Sequence, residues 1–149
     1  PMPKEIVEKE AVRALVEADV LTICSGGGGI PVVAEDGQYV GVEAVNDKDF
    51  SARVLAENVD ADRLIILTGV DNIYINYNQP DQKALEQISV AEAEEYIKEG
   101  HFAAGSMLPK IEAALDFVKG DDKRKAIITS IENLENIDKE AGTVISQKG

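Results

Sequence analysis

Apolar positions along this chain follow two rhythms. Across residues 5–18 they fall at Val7, Ala11, Ala14, Leu15 and Ala18, the spacing of one face of a helix. Residues 20–24 form a short continuous apolar run that predicts a buried strand. Around the Asp36-Gly37 turn, alternating residues on either side predict a hairpin. A further apolar run, residues 42–45, stops at Asn46-Asp47-Lys48-Asp49. Helical spacing resumes there with Ala52, Leu55, Ala56 and Val59.

Residues 63–67 and 126–129 predict two more buried strands. Residues 72–77 predict a short strand, and residues 142–145 a closing one. Ser89-Val90-Ala91-Glu92 is a capping box for a helix ending near Gly100. Pro109 suits the first turn of a helix bearing Ile111, Ala114, Leu115 and Val118. Thr129-Ser130-Ile131-Glu132 caps a further short helix. Strands alternating with helices give an α/β class, a three-layer αβα arrangement with a mostly parallel central sheet and helices on both faces.

Composition narrows the function more than the fold. With 149 residues, 44% apolar and 29% charged, the chain is expected to be globular, one domain over residues 1–149. The formal net charge of −13 argues against nucleic acid as a partner. No apolar run approaches the ~18 residues of a membrane span, so no membrane partner is expected. No leader is visible, and the single Cys24 cannot form an internal disulfide; a cytoplasmic location is expected. The start, Pro1-Met2-Pro3 running straight into a helix, suggests a cut-down chain.

In an acidic protein, a site for an anion must be built by specific residues. Lys48 lies at the amino-terminal end of a predicted helix, where a cation is mildly unfavourable and an anion is welcome. Lys110 stands in the same position on the helix that Pro109 opens. For Lys48 two readings stay open. A phosphate held there would account for the lysine; alternatively Asn46 or Asp47 caps the helix, Asp49 answers from the first turn, and Lys48 points into solvent. Ser25-Gly26-Gly27-Gly28-Gly29 follows a predicted strand and is either a phosphate cradle or a flexible turn. It is neither a dinucleotide fingerprint nor a Walker A loop.

Loops after the strands, residues 26–29, 68–70 and 129–130, are expected to meet in one crevice with Lys48 and Lys110. No Cys or His spacing suits a metal, and Ser25 and Ser106 have no base partner in sight. His101, the one histidine, is expected on the surface or in a loop. Tyr39, Tyr77, Phe102 and Phe117 are expected to pack rather than stack on a base. Phosphoryl transfer is the chemistry that needs positive charge and positioning above all.

Four motifs occur in order: residues 26–32 (GGGGIPV), 43–49 (EAVNDKD), 67–70 (LTGV) and 105–114 (GSMLPKIEAA). Together they resemble carbamate kinase of the amino acid kinase superfamily, specifically its carboxy-terminal, nucleotide-binding half, over residues 6–145. The resemblance implies reversible phosphoryl transfer between ATP and carbamate, often run from carbamoyl phosphate to ADP in arginine fermentation. It implies that Lys48 and Lys110 neutralise phosphoryl charge and that Asp49 orients them. A magnesium ion would ride on the nucleotide phosphates. Thr68, Gly69, Val70, Tyr74, Met107 and Pro109 would shape the nucleotide pocket, and Gly27 and Gly28 would approach the phosphoryl path. Asn46 departs from the pattern, standing where an apolar residue is commoner. The amino-terminal, carbamate-binding half and the family's dimer contacts are absent. An isolated nucleotide-binding module without activity, another kinase of the superfamily, and an acidic interaction domain without a ligand are the alternatives.

Overall fold

In the computed structural model, which describes residues 1–149, the chain falls into two units, Pro1–Asp60 and Ala61–Gly149. In the first, helix α1 spans Lys9–Glu17, starting later than its apolar spacing suggested. No α1 residue is buried, and Leu15 keeps 42% of its surface exposed. Arg13 secures this helix instead. Its Nε donates to the Asn58 carbonyl at 3.0 Å and its Nη2 lies 3.1 Å from Asp60 Oδ2.

The predicted hairpin is present, with β1 at Val32–Glu35 and β2 at Gln38–Gly41 paired antiparallel. Asp36 and Gly37 both take positive φ, 48° and 79°, as a two-residue primed turn requires. Helix α2 spans Lys48–Asn58 and buries Phe50, Val54 and Ala56.

Two expected strands of this unit do not form. Residues 20–24 and 42–46 carry no strand, and Leu21 and Ile23 are each 96% exposed. An apolar run becomes a strand when a neighbour pairs its N–H and C=O groups. The one sheet of this unit is the β1–β2 hairpin, and beyond it only the Val42 N–H finds a partner across the hairpin, the Pro31 carbonyl at 3.1 Å.

The second unit holds a four-stranded sheet in the order β3-β7-β8-β6, with β3 at Arg63–Thr68, β6 at Gln87–Ser89, β7 at Lys125–Ser130 and β8 at Thr143–Ser146. Pairs β3–β7 and β6–β8 are parallel and β7–β8 is antiparallel, so the sheet is mixed but mostly parallel, as the α/β pattern implied. Central β7 is fully buried at Ala126, Ile127 and Ile128, hence its unbroken apolar run. Edge strand β3 alternates instead, Leu64 and Ile66 buried, Ile65 and Leu67 exposed. It is half-buried rather than the buried strand expected.

Helix α3, Val90–Lys98, opens with the predicted capping box, Ser89 and Glu92 exchanging both bonds. Helix α4, Met107–Lys119, lays Ile111, Ala114, Leu115, Phe117 and Val118 against β3, β7 and β8. Two three-residue strands escaped the sequence pattern: β5, Lys83–Leu85, which pairs with β4, Ile73–Ile75, and β6 itself. The short helix after β7 is a 3-10 turn, Leu134–Lys139. The Ser130 hydroxyl accepts the Asn133 N–H at 3.2 Å just ahead of it.

Candidate functional site

The charged candidates of the first unit sit where α2 begins. Asp47 is the cap, extended in backbone, with Oδ1 accepting the Asp49 N–H at 2.7 Å. Lys48 is the first helical residue and is exposed, whereas Asp49 beside it is buried. The two flanking carboxylates offset the cost of a cation at this end of the helix. The solvent-facing, carboxylate-capped alternative is therefore the geometry observed.

The glycine run is locked onto the same helix start. Gly28 has φ +134°, and a Cβ there would lie 2.5 Å from the Asn46 carbonyl oxygen. Its own carbonyl accepts the Ser51 hydroxyl at 2.8 Å, with Ser51 fully buried in the first turns of α2. Gly27 has open space around its Cα. Gly27, Gly28, Lys48 and Asp49 thus share one structural element, a backbone bend fastened to a helix terminus. At Gly28 the bend is held by contact, whereas Gly26, Gly27 and Gly29 have open space around them.

In the second unit, a cavity of about 310 Å³ opens at the carboxyl end of β3. Thr68, Gly69, Val70, Tyr74 and Met107 line it, together with Tyr77, His101, Phe102, Ala103 and Ser106. Five of the six residues assigned to a nucleotide pocket from sequence therefore meet around one space. Pro109 and Lys110 follow Met107 on the first turn of α4, and neither is among the lining residues. Lys110 lies in this unit and Lys48 in the other.

Phe102 and Phe117 are buried, as packing groups should be, and His101 lies in a loop as expected; Tyr39 and Tyr77, expected to pack, are exposed. Tyr77 and Tyr74 present rings 5.8 Å apart, tilted by 44°, and Phe102 closes the wall. His101 is half-buried, with a carboxylate neighbour, Glu99, whose Oε2 lies 2.9 Å from Nε2. Its Nδ1 faces the Asn76 N–H at 3.4 Å, so the ring accepts at Nδ1 and donates from Nε2. Both nitrogens are engaged, and His101 works as part of the wall.

The end of α3 explains how His101 arrives there. Gly100 turns at φ +80°, its N–H reaching the Ile97 carbonyl, while the His101 N–H reaches the Tyr96 carbonyl at 3.2 Å. This is the Schellman arrangement, completed by edge contact of the Tyr96 and His101 rings. At the opposite wall, α4 starts from Ser106 without a side-chain cap and with no acidic residue in its first turn. Its partial positive charge meets no carboxylate of its own first turn beside the cavity, although the Leu108 N–H donates to the Ala103 carbonyl at 3.0 Å. An aromatic and aliphatic slot next to such a helix end suits a flat ring joined to an anionic group.

Comparison with known proteins places the chain in a family. The model of the amino acid kinase family matches residues 1–130. The chain is 53% identical over 148 residues to a carbamate kinase from Latilactobacillus sakei, an alignment covering 99% of this chain and 47% of that protein. It is 54% identical over 149 residues to carbamate kinase 1 of Enterococcus faecium, again over 99% of this chain and 47% of the relative. Carbamate kinase from Giardia lamblia bound to AMP-PNP superposes with a TM-score of 0.94 at 42% identity, covering 99% of this chain and 52% of that one. The α/β, carbamate kinase-like fold expected from the sequence holds. The chain spans about half the length of the curated relatives it matches.

Proposed function

The chain belongs to the amino acid kinase family, and from that premise we propose that it is the nucleotide-binding half of a carbamate kinase. The reaction is reversible: a phosphoryl group leaves carbamoyl phosphate for the terminal phosphate oxygen of ADP, giving carbamate and ATP. The observation that carries this reading is the meeting of Thr68, Gly69, Val70, Tyr74 and Met107 around one cavity beside the uncapped start of α4. The base and ribose occupy that slot, and Pro109 fixes the helix turn at its edge. The phosphates extend toward Lys110. Lys48 stabilises the transferring phosphoryl, Asp49 orients the lysines, and the Gly27-Gly28 backbone lets the phosphoryl group pass close.

No three His, Cys, Asp or Glu side chains cluster to hold a metal ion. A magnesium ion carried on the nucleotide phosphates would neutralise charge there. Residues 1–149 act together as one nucleotide-binding domain, and the longer protein adds the carbamate side and a homodimer contact. A cytoplasmic setting in arginine fermentation suits this reaction, and neither nucleic acid nor a membrane takes part. No helix is long and apolar enough to cross a membrane.

The test is turnover. Lys48→Ala and Lys110→Ala, made in the longer protein, should each lower the rate by about 10²–10³-fold, as loss of one transition-state charge contact does. Near-normal turnover in both ends the proposal. A second reading, a nucleotide-binding module with no activity of its own, is favoured by the share of its relatives that the chain spans, 47%. Calorimetry on this chain supports that reading if ADP binds while phosphoryl transfer is undetectable. An acidic domain without a ligand gains if excess ADP fails to raise the melting temperature.

A further inference from the structure

We propose that Asp71 is a positioning residue for the pocket, holding the wall of Thr68, Gly69 and Val70 in place through the buried hydroxyl of Ser130. This rests on the nucleotide reading of the cavity. Asp71 is not itself among the lining residues.

The wall leaves β3 at Thr68 and the chain re-enters a strand at Ile73, with no regular structure between. Such a segment, with a glycine in it, has no ladder of its own to keep its shape. Immediately after Val70, three consecutive residues are tethered. Asp71 Oδ1 accepts the Ser130 hydroxyl at 2.6 Å, and its carbonyl accepts the Thr129 hydroxyl at 3.2 Å. Asn72 Nδ2 donates to the Leu85 carbonyl at 3.1 Å, and the Ile73 N–H donates to Thr143 Oγ1 at 2.8 Å.

The Asp71–Ser130 bond stands apart from the rest. It involves a full charge, and charge-assisted bonds are shorter and stronger than neutral ones. The Ser130 hydroxyl has one proton to give and already accepts the Asn133 N–H at 3.2 Å, so its donor is committed to Asp71. Ser130 is 2% exposed, and water cannot readily replace the carboxylate as acceptor. It also ends β7, the central strand, so the bond ties the pocket wall to the most deeply buried part of the sheet. A wall fixed before the ligand arrives spares the ordering cost on binding.

The experiment measures ADP with magnesium binding to this chain by calorimetry, for the parent, Asp71→Ala, Asp71→Asn and Ser130→Ala. Hydrogen exchange at the Gly69 and Val70 amides is followed in parallel. Asp71→Ala and Ser130→Ala should each weaken ADP by about 10-fold, the worth of one hydrogen bond to a charged group. Asp71→Asn keeps an acceptor oxygen and should stay within about threefold of the parent. Exchange at Gly69 and Val70 should quicken in the two alanine variants and not in Asp71→Asn. Alanine variants that match the parent in both measurements overturn the inference. So does a loss of affinity that Asp71→Asn fails to restore, since general destabilisation would produce it. A parent that binds no ADP sinks the nucleotide reading, and the exchange rates alone then decide whether Asp71 holds the wall.

Discussion

The two units hold themselves together by different means. In Ala61–Gly149 the side chains of Ile111, Phe117, Ile127, Ile128 and Ile145 are completely buried, and the sheet and helices enclose them. In Pro1–Asp60, α1 buries nothing and every hairpin residue is exposed; only α2 buries apolar side chains, Phe50, Val54 and Ala56, and polar links join the segments: Arg13 to the end of α2, Ser51 to Gly28. A unit built on apolar volume can carry a cavity without losing its shape. One with a small apolar face and a few directional bonds is suited to fixing single groups, here a glycine bend at a helix start.

Truncation of core and surface should separate the units most widely. Phe117→Ala should cost about 3–5 kcal/mol, the range for a buried aromatic, whereas Leu15→Ala on α1 should stay within about 0.5 kcal/mol. Denaturant titration of both variants checks this. Equal losses would mean that α1 is covered as well as α4 is.

The polar unit should instead be sensitive to backbone chemistry. Gly28→Ala places a methyl group 2.5 Å from the Asn46 oxygen at φ +134°. It should cost about 1–3 kcal/mol, as strained backbone positions do. Gly27→Ala meets open space and should change stability by no more than about 0.5 kcal/mol. Thermal melts of the pair measure the difference, and its sign reversed would show the bend to be loose.

The smallest effect lies at the start of α3. The Ser89 N–H, first, and then its hydroxyl, hold the Glu92 carboxyl below the usual carboxylate range. A lowered folded-state value stabilises the protein above the unfolded carboxylate range, and that stability is lost as pH falls through the lowered value. Glu92→Gln should lower the melting temperature slightly at neutral pH, and the gap from the parent should close as acid protonates Glu92. Ser89→Ala removes the cap itself and should cost about 1 kcal/mol.

Several elements in both units were legible because their signals are local. Asp36-Gly37 and the Ser89–Glu92 box specify their turns through a few neighbouring residues, and an apolar run such as that of β7 announces its burial. Residues 20–24 carry the same apolar signal as β7, yet pairing depends on a neighbouring strand, which no single segment encodes. Strands β5 and β6 are three residues each, too short for a period to register. In the pocket, Thr68, Gly69, Val70, Tyr74 and Met107 were readable from motif wording. His101, Phe102 and Tyr77 were not, because the reversal at Gly100 and the turn at Asn76 deliver them. Glu99 stands two residues before His101 in the sequence, but their contact depends on the left-handed turn between them.

That turn has a further effect. Where α3 stops decides which side chains enter the cavity, so a secondary-structure boundary also acts as a gauge of the space a ligand can occupy. Any residue at position 100 that resisted φ +80° would carry the helix onward and swing the imidazole and the neighbouring phenyl ring out of the slot together. A stop signal of one residue thereby doubles as a determinant of the cavity's shape.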